Sequence, residues 1–250
     1  MAYALIFIIG LIFGSFFNVL IYRLPREIGY IFGRSQCPEC KKILDAQDLV
    51  PLFSYIISKG RCRHCGTKIA PRYFIVELIS GLIFLGLFIV YGAGLKYIFS
   101  VIFFGSLLII FFSDLETKII PDEIIIILAV LGVMGLIESR MYLDRMWGFI
   151  FGGGILIIIG FIGEKIFKKE SMGGGDIKLM AVLGLILGLK NIIFTLFLSF
   201  VIGSIIGIMY MAFMKKGLKD YIPFGPAIII SASISYFYGY QIIEWYLGTI

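Results

Sequence analysis

Residues 2–20 read AYALIFIIGLIFGSFFNVL, an uninterrupted apolar run without a single charged side chain. At 1.5 Å per residue a helix of this length nearly crosses a bilayer, whose hydrocarbon core takes about 20 apolar residues. No basic segment precedes the run and no small-residue cleavage motif follows it. It therefore reads as a retained first span rather than a removed signal. The rest of the chain repeats the pattern. Of 250 residues, 60% are hydrophobic and 15% charged, with a mean hydropathy of +1.02. A soluble domain carries about a quarter charged residues as its polar shell, so an ordinary soluble globule is excluded. Disorder is excluded by the same numbers. A transmembrane β-barrel would alternate in segments of about ten residues, whereas these runs are continuous.

The fold class expected is all-α: a polytopic membrane protein of about eight transmembrane helices with a small cytoplasmic zinc-binding loop domain. Spans are expected at 1–22, 73–91, 96–113, 123–138, 146–163, 177–189, 191–214 and 222–246. The 177–189 run is short for a crossing, so it is either tilted or begins within the Gly-rich residues before it. Residues 23–72 differ sharply from their surroundings. They hold all four cysteines, the only histidine and ten Lys/Arg. Three domains follow: a first helix over 1–22, the polar loop over 23–72, and a membrane domain over 73–250. No clear internal repeat is visible.

The net charge of +6 does not point to nucleic acid, because the cations are segregated along a membrane chain. With 23–72 in the cytoplasm, that side also holds Lys118, Lys165, Lys168, Lys169, Lys178, Lys215, Lys216 and Lys219. The opposite side holds only Lys96, Arg140, Arg145 and Lys190. This is the positive-inside pattern. It favours an even number of spans and places both termini outside the cytoplasm.

Cys37-Pro-Glu-Cys40 and Cys62-Arg-His-Cys65 make two CxxC pairs separated by 21 residues. Each CxxC turn aims two sulfurs at one point, and two turns complete a tetrahedron, so the set reads as a structural Zn²⁺ site. Two disulfides would need an oxidising compartment. A redox CxxC needs only one pair, and haem attachment needs a histidine directly after the motif. His64, inside the second pair, reads as a bystander. Gly66 stands where a tight knuckle needs positive φ.

Two carboxylates fall at span edges: Asp114, after the run ending Phe111-Phe112-Ser113, and Asp176, after Gly173-Gly174-Gly175. Ionisable groups at membrane depth are functional candidates, against the plainer alternative of two solvated loop acids. The glycines allow unusual backbone conformations and close approach. Pro121 fits the start of the next helix, whose N-terminus suits Asp122 and Glu123. A carboxylate pair sharing one proton can activate water and polarise a carbonyl. No Asp-Thr-Gly, Gly-x-Ser-x-Gly or HExxH motif offers another peptidase chemistry. Gly10 and Gly14 have the small-xxx-small spacing of close helix packing.

Taken in order, these motifs resemble the type IV prepilin peptidase family. The resemblance rests on Gly10 to Pro25, the two CxxC pairs, Val50-Pro51-Leu52-Phe53-Ser54-Tyr55, Arg72-Tyr73 with Glu77, Asp114 with Ile120-Pro121-Asp122, Gly173 to Leu179, and Ile222-Pro223-Phe224-Gly225-Pro226. It departs at Ala46-Gln47-Asp48, where many family members read a shorter polar segment. The resemblance implies an intramembrane aspartyl endopeptidase of the bacterial inner membrane. Such an enzyme removes the short basic leader of type IV prepilins and pseudopilins after a glycine, at the cytoplasmic face. It implies Asp114 and Asp176 as the catalytic pair, with Gly173 and Gly175 in support. It also implies methylation of the new N-terminal residue with S-adenosylmethionine, and zinc on the four cysteines. Glu77 orders the active site, pairs with a cation, or anchors at the interface. Lys178 acts on Asp176 or the substrate, or is a topogenic charge. A small transporter, or a pilus-assembly scaffold, is the competing class. The expected partners are prepilins and the lipid bilayer.

Overall fold

A computed structural model describes residues 1–29, 33–138, 142–168, 172–214 and 223–248. Arg140, Lys169, Lys215, Lys216 and Lys219 of the charge pattern, and Ile222 of the last motif, lie outside the described residues. Among those described, the chain is helical, with α1 over Ala2–Arg23, α2 over Phe53–Ile57, α3 over Arg72–Tyr91, α4 over Leu95–Thr117 and α5 over Asp122–Glu138. The remaining helices are α6 over Tyr142–Phe167, α7 over Gly174–Leu187, α8 over Leu189–Met214 and α9 over Gly225–Gly248. The only strand-like pairings described are two isolated β-bridges.

Eight of these helices fall where the apolar runs lie. Six (α1, α3, α4, α6, α8 and α9) are long and apolar enough to cross a membrane. The other two are α5, with 17 residues, and α7, with 14. At 1.5 Å per residue α7 is about 21 Å long, short of a hydrocarbon core of about 30 Å. Its start does lie inside the Gly-rich segment, with Gly173 as its N-cap. Gly188, at φ +83°, then turns the chain sharply into α8.

The chain divides into two compact units, 1–109 and 110–250, with the boundary inside α4. In the first, α1 packs along α3 through its small residues. A Cβ on Gly10 would stand 2.8 Å from Gly81 Cα, and one on Gly14 would stand 2.7 Å from Glu77 Cα. Around this seam Leu11, Phe17 and Ile21 of α1 and Val76, Phe84 and Leu87 of α3 are buried. Asn18 Nδ2 donates to Tyr73 O at 3.0 Å across the same seam. Van der Waals contact drives helix pairing in lipid, so such closeness is the main source of cohesion. Gly14→Val is expected to cost about 1–3 kcal/mol through overpacking. That would appear as a lower unfolding midpoint in detergent, and an unchanged midpoint would contradict this packing.

In the second unit, α6 and α7 meet through a similar stripe. Gly148 and Gly184 lie backbone against backbone, and Gly152 faces Met180 O. Leu156, Leu179, Met180, Leu183 and Ile192 are fully buried around them. α8 and α9 join through Asn191, whose carbonyl accepts the Ser235 hydroxyl at 3.0 Å. The start of α7 lies against Ile120, in the turn that follows α4.

Candidate active site and metal centre

Asp114 sits in the last turn of α4, 4% exposed. The turn is closed locally. Lys118 adopts φ +58°, its amide donates to Asp114 O at 2.9 Å, and the Ser113 hydroxyl donates to Ile119 O at 2.8 Å. The Asp114 carboxylate is held by a third element: Gly225 N–H donates to Oδ2 at 3.0 Å. Gly225 opens α9, so its amide is one of the donors that a helix N-terminus leaves without an intrahelical partner. The following Pro226 has no N–H to compete. A Cβ on Gly225 would strike the Asp114 carboxylate.

Asp176 sits in the first turn of α7, also 4% exposed. Its Oδ1 is buried and has no hydrogen-bond partner among the described residues. Asp114 and Asp176 are within electrostatic reach of each other, although 62 positions separate them. Two buried carboxylates, one anchored and one with an unsatisfied oxygen, form a site built for a proton, a water or a carbonyl.

Of the two expectations for the Gly-rich segment, close approach holds and unusual backbone conformation does not. Gly173 has φ −69°, and neither Gly174 nor Gly175 takes a positive φ. What matters is proximity: a Cβ on Gly175 would stand 3.0 Å from Ile120 Cβ. The missing side chain lets α7 start against the Ile120-Pro121 turn, and this seats Asp176. Gly225 is the residue that sequence reasoning quoted but assigned no role. Its signal was a glycine followed by proline at a helix start. Gly225→Val is expected to displace Asp114 and lower peptidase activity on the order of 10²-fold. Undiminished turnover by this variant would mean that the amide contact does not position the acid.

Lys178 forms a two-point ion pair with Asp122, at 2.7 and 2.9 Å. Both side chains are more than half exposed. Glu77 belongs to the first unit. Its Oε2 accepts Leu52 N–H at 2.8 Å, where Leu52 has φ +62° at the start of α2. Glu77 therefore binds a backbone amide of the polar loop.

The four cysteines converge. Their sulfurs all lie within 4.8 Å of one another, with Cys37 and Cys65 Sγ 3.8 Å apart, and all four are free of disulfides. A tetrahedral Zn²⁺ with bonds of about 2.3 Å sets its sulfurs about 3.8 Å apart, so the donor set fits. Two matching knuckles build it. Cys37 N–H donates to Lys42 O and Lys41 N–H to Cys37 O, and Cys62 N–H donates to Thr67 O and Gly66 N–H to Cys62 O. Gln36 bridges Ile43 and Arg61 bridges Lys68 in the same way. Lys41 (φ +58°) and Gly66 (φ +73°) make the equivalent turns. This is a local repeat, 25 positions apart, where none was expected. The Thr67 hydroxyl and amide hold the Cys65 thiol down at about 6, against an ordinary 9.0. Cys40 in the same cluster is pushed the other way, to about 11, with the Lys42 amide pulling it down but burial and the neighbouring Cys37 and Cys65 outweighing it. Of these two the thiolate is favoured at Cys65, and a metal would draw Cys40 to it. His64 stands outside the sulfur cluster, near Asp45 and Asp48.

Comparison with known proteins agrees with this two-part layout. Residues 8–91 match the bacterial peptidase A24 N-terminal domain, and residues 101–208 match the type IV leader peptidase family. A Bacillus subtilis protein named prepilin leader peptidase/N-methyltransferase is 32% identical over 248 residues, covering 98% of this chain and 97% of its own. A Vibrio cholerae protein of the same name is 34% identical over 247 residues, covering 92% and 94%. No solved structure gives a significant match. With such identity along nearly its whole length, the chain belongs to the type IV leader peptidase family.

Proposed function

We propose that this protein is a membrane aspartyl endopeptidase that removes the leader of type IV prepilins and pseudopilins after glycine, then methylates the new N-terminus. The observation that carries the peptidase reading is the buried pair, Asp114 held by Gly225 N–H and Asp176 with an unpartnered Oδ1. Two acids within electrostatic reach of each other in a low-dielectric setting share one proton. The ionised member takes a proton from water, and the protonated member polarises the scissile carbonyl. The water oxygen bonds to the carbonyl carbon. Collapse of the tetrahedral species breaks the C–N bond as the amine takes up a proton. No covalent enzyme intermediate forms. Asp176 Oδ1, without a hydrogen-bond partner among the described residues, is the atom available to substrate or water.

Both acids lie at helix ends, Asp114 in the last turn of α4 and Asp176 in the first of α7. This suits a cut at the membrane face, and the cation distribution supports a cytoplasmic location for that face, with the bacterial inner membrane following from the family reading. A transporter would hold its ionisable groups near mid-span instead. Methylation takes the freed amino group as nucleophile and S-adenosylmethionine as donor. Cys37, Cys40, Cys62 and Cys65 would hold a structural Zn²⁺ that orders the 23–72 loop domain and leaves no open coordination position for catalysis. The test is the purified protein in detergent with a synthetic prepilin leader peptide. Cleavage between the leader glycine and the following phenylalanine, read by mass spectrometry, is expected. An intact peptide with the folded protein, across several leaders, would return the transport and scaffold readings.

A further inference from the structure

The polar loop carries a short helix whose outward face the peptidase chemistry does not use. Phe53, Ile56 and Ile57 of α2 are 63, 60 and 68% exposed. They recur at i, i+3 and i+4, so they share one helix face. Three large apolar side chains on a five-residue helix are unusual for a surface that meets only water.

The opposite side of α2 is fixed to the beginning of α3. The Tyr55 ring packs on Phe74 with centroids 5.5 Å apart, and its hydroxyl donates to Ile69 O at 3.3 Å. Leu52 N–H donates to Glu77. The contacts fall on residues 74 and 77 of a helix that begins at Arg72 and is apolar enough to cross the membrane. α2 is thereby held level with the first turns of a span, at the depth of the membrane–water boundary. Beside it lies a cavity of about 380 Å³ lined by Tyr55, Lys59, Arg61, Lys68 and Pro71 among others. The lining contains three cations and no acid. Among the described residues none of the three side chains forms an ion pair or hydrogen bond.

We infer that α2 is an interfacial anchor. Phe53, Ile56 and Ile57 enter the boundary between headgroups and acyl chains, and the Lys59–Arg61–Lys68 cavity takes the phosphate of an anionic phospholipid. An apolar face flanked by cations is the composition of helices that lie in the interface plane. Each basic residue near an anionic surface strengthens association by roughly fivefold. The anchor holds the cysteine cluster's domain against the bilayer, where a leader emerging from a membrane helix must pass.

The test uses the full chain with Trp147→Phe and Trp245→Phe, leaving Ile57→Trp as the single tryptophan. It is reconstituted into vesicles of brominated phosphatidylglycerol or brominated phosphatidylcholine. Position 57 is exposed, so the larger ring is tolerated. Strong quenching is expected in both, larger in phosphatidylglycerol by about twofold or more. Lys59→Glu with Arg61→Glu and Lys68→Glu should erase that difference. Unquenched, water-like emission in both vesicles would overturn the anchor. Equal quenching by the two lipids in the otherwise unaltered chain would overturn the anionic-headgroup cavity, without recourse to the charge-reversed variant.

Discussion

Asp114→Asn and Asp176→Asn should each lower leader cleavage by about 10³-fold or more, the reach of paired general acid–base catalysis. The double variant should be no worse than either single one, because groups that act as a unit are non-additive. Asn has nearly the size and shape of Asp. At position 114 its carbonyl oxygen can still accept the Gly225 amide, so the change removes charge and proton exchange rather than packing. The unfolding midpoint of the variants should therefore stay near that of the unaltered protein. Both acids are buried, which sets aside two solvated loop acids, and rate loss without loss of fold separates a chemical role from a purely structural one. Two independent, multiplying losses would instead indicate separate structural contributions.

The second large effect concerns the cysteine cluster. Cys37→Ser with Cys62→Ser removes one sulfur from each knuckle and should abolish zinc retention, read by elemental analysis as one ion per chain falling to none. Binding energy at structural zinc sites reaches about 10–16 kcal/mol in small peptides, and a loop of this size has little core of its own. Residues 23–72 should become open to proteolysis while 110–250 stays protected, since α6 and α7 pack without help from the loop. Methylation should fall far more than cleavage. Equal loss of both activities together with unfolding of the whole chain would contradict that separation.

Much of this was legible in the amino-acid sequence, for identifiable reasons. Apolar runs at membrane length have few alternative structures, since every backbone polar group must be paired internally. The helices therefore fall where the runs do. The shortness of α7 is visible in its apolar run, but whether α7 crosses is not, because hydropathy marks burial and cannot tell a full crossing from a short buried helix. The CxxC pairs announced convergence, since the turn geometry is local. The 25-residue knuckle repeat was hidden because it lives in backbone bonds, with Lys41 in one copy where Gly66 stands in the other. For Gly173 to Gly175 both conformational freedom and close approach are expected, and the structure uses the second, at Gly175 against Ile120. Spacing cannot show such a contact, because the partner lies in a different element. Gly225 escaped for the same reason: its partner, Asp114, is 111 residues away.

The central claim is that Asp114 and Asp176 together cut the leader. Its most direct test is one reaction in which purified protein, a leader peptide containing the glycine–phenylalanine junction and labelled S-adenosylmethionine are combined and followed by mass spectrometry. The unaltered protein and Asp176→Asn are run side by side. Cleaved and methylated product from the first, with intact peptide from the second at the same folded concentration, is the expected result. Normal cleavage by Asp176→Asn would contradict the assignment of the pair.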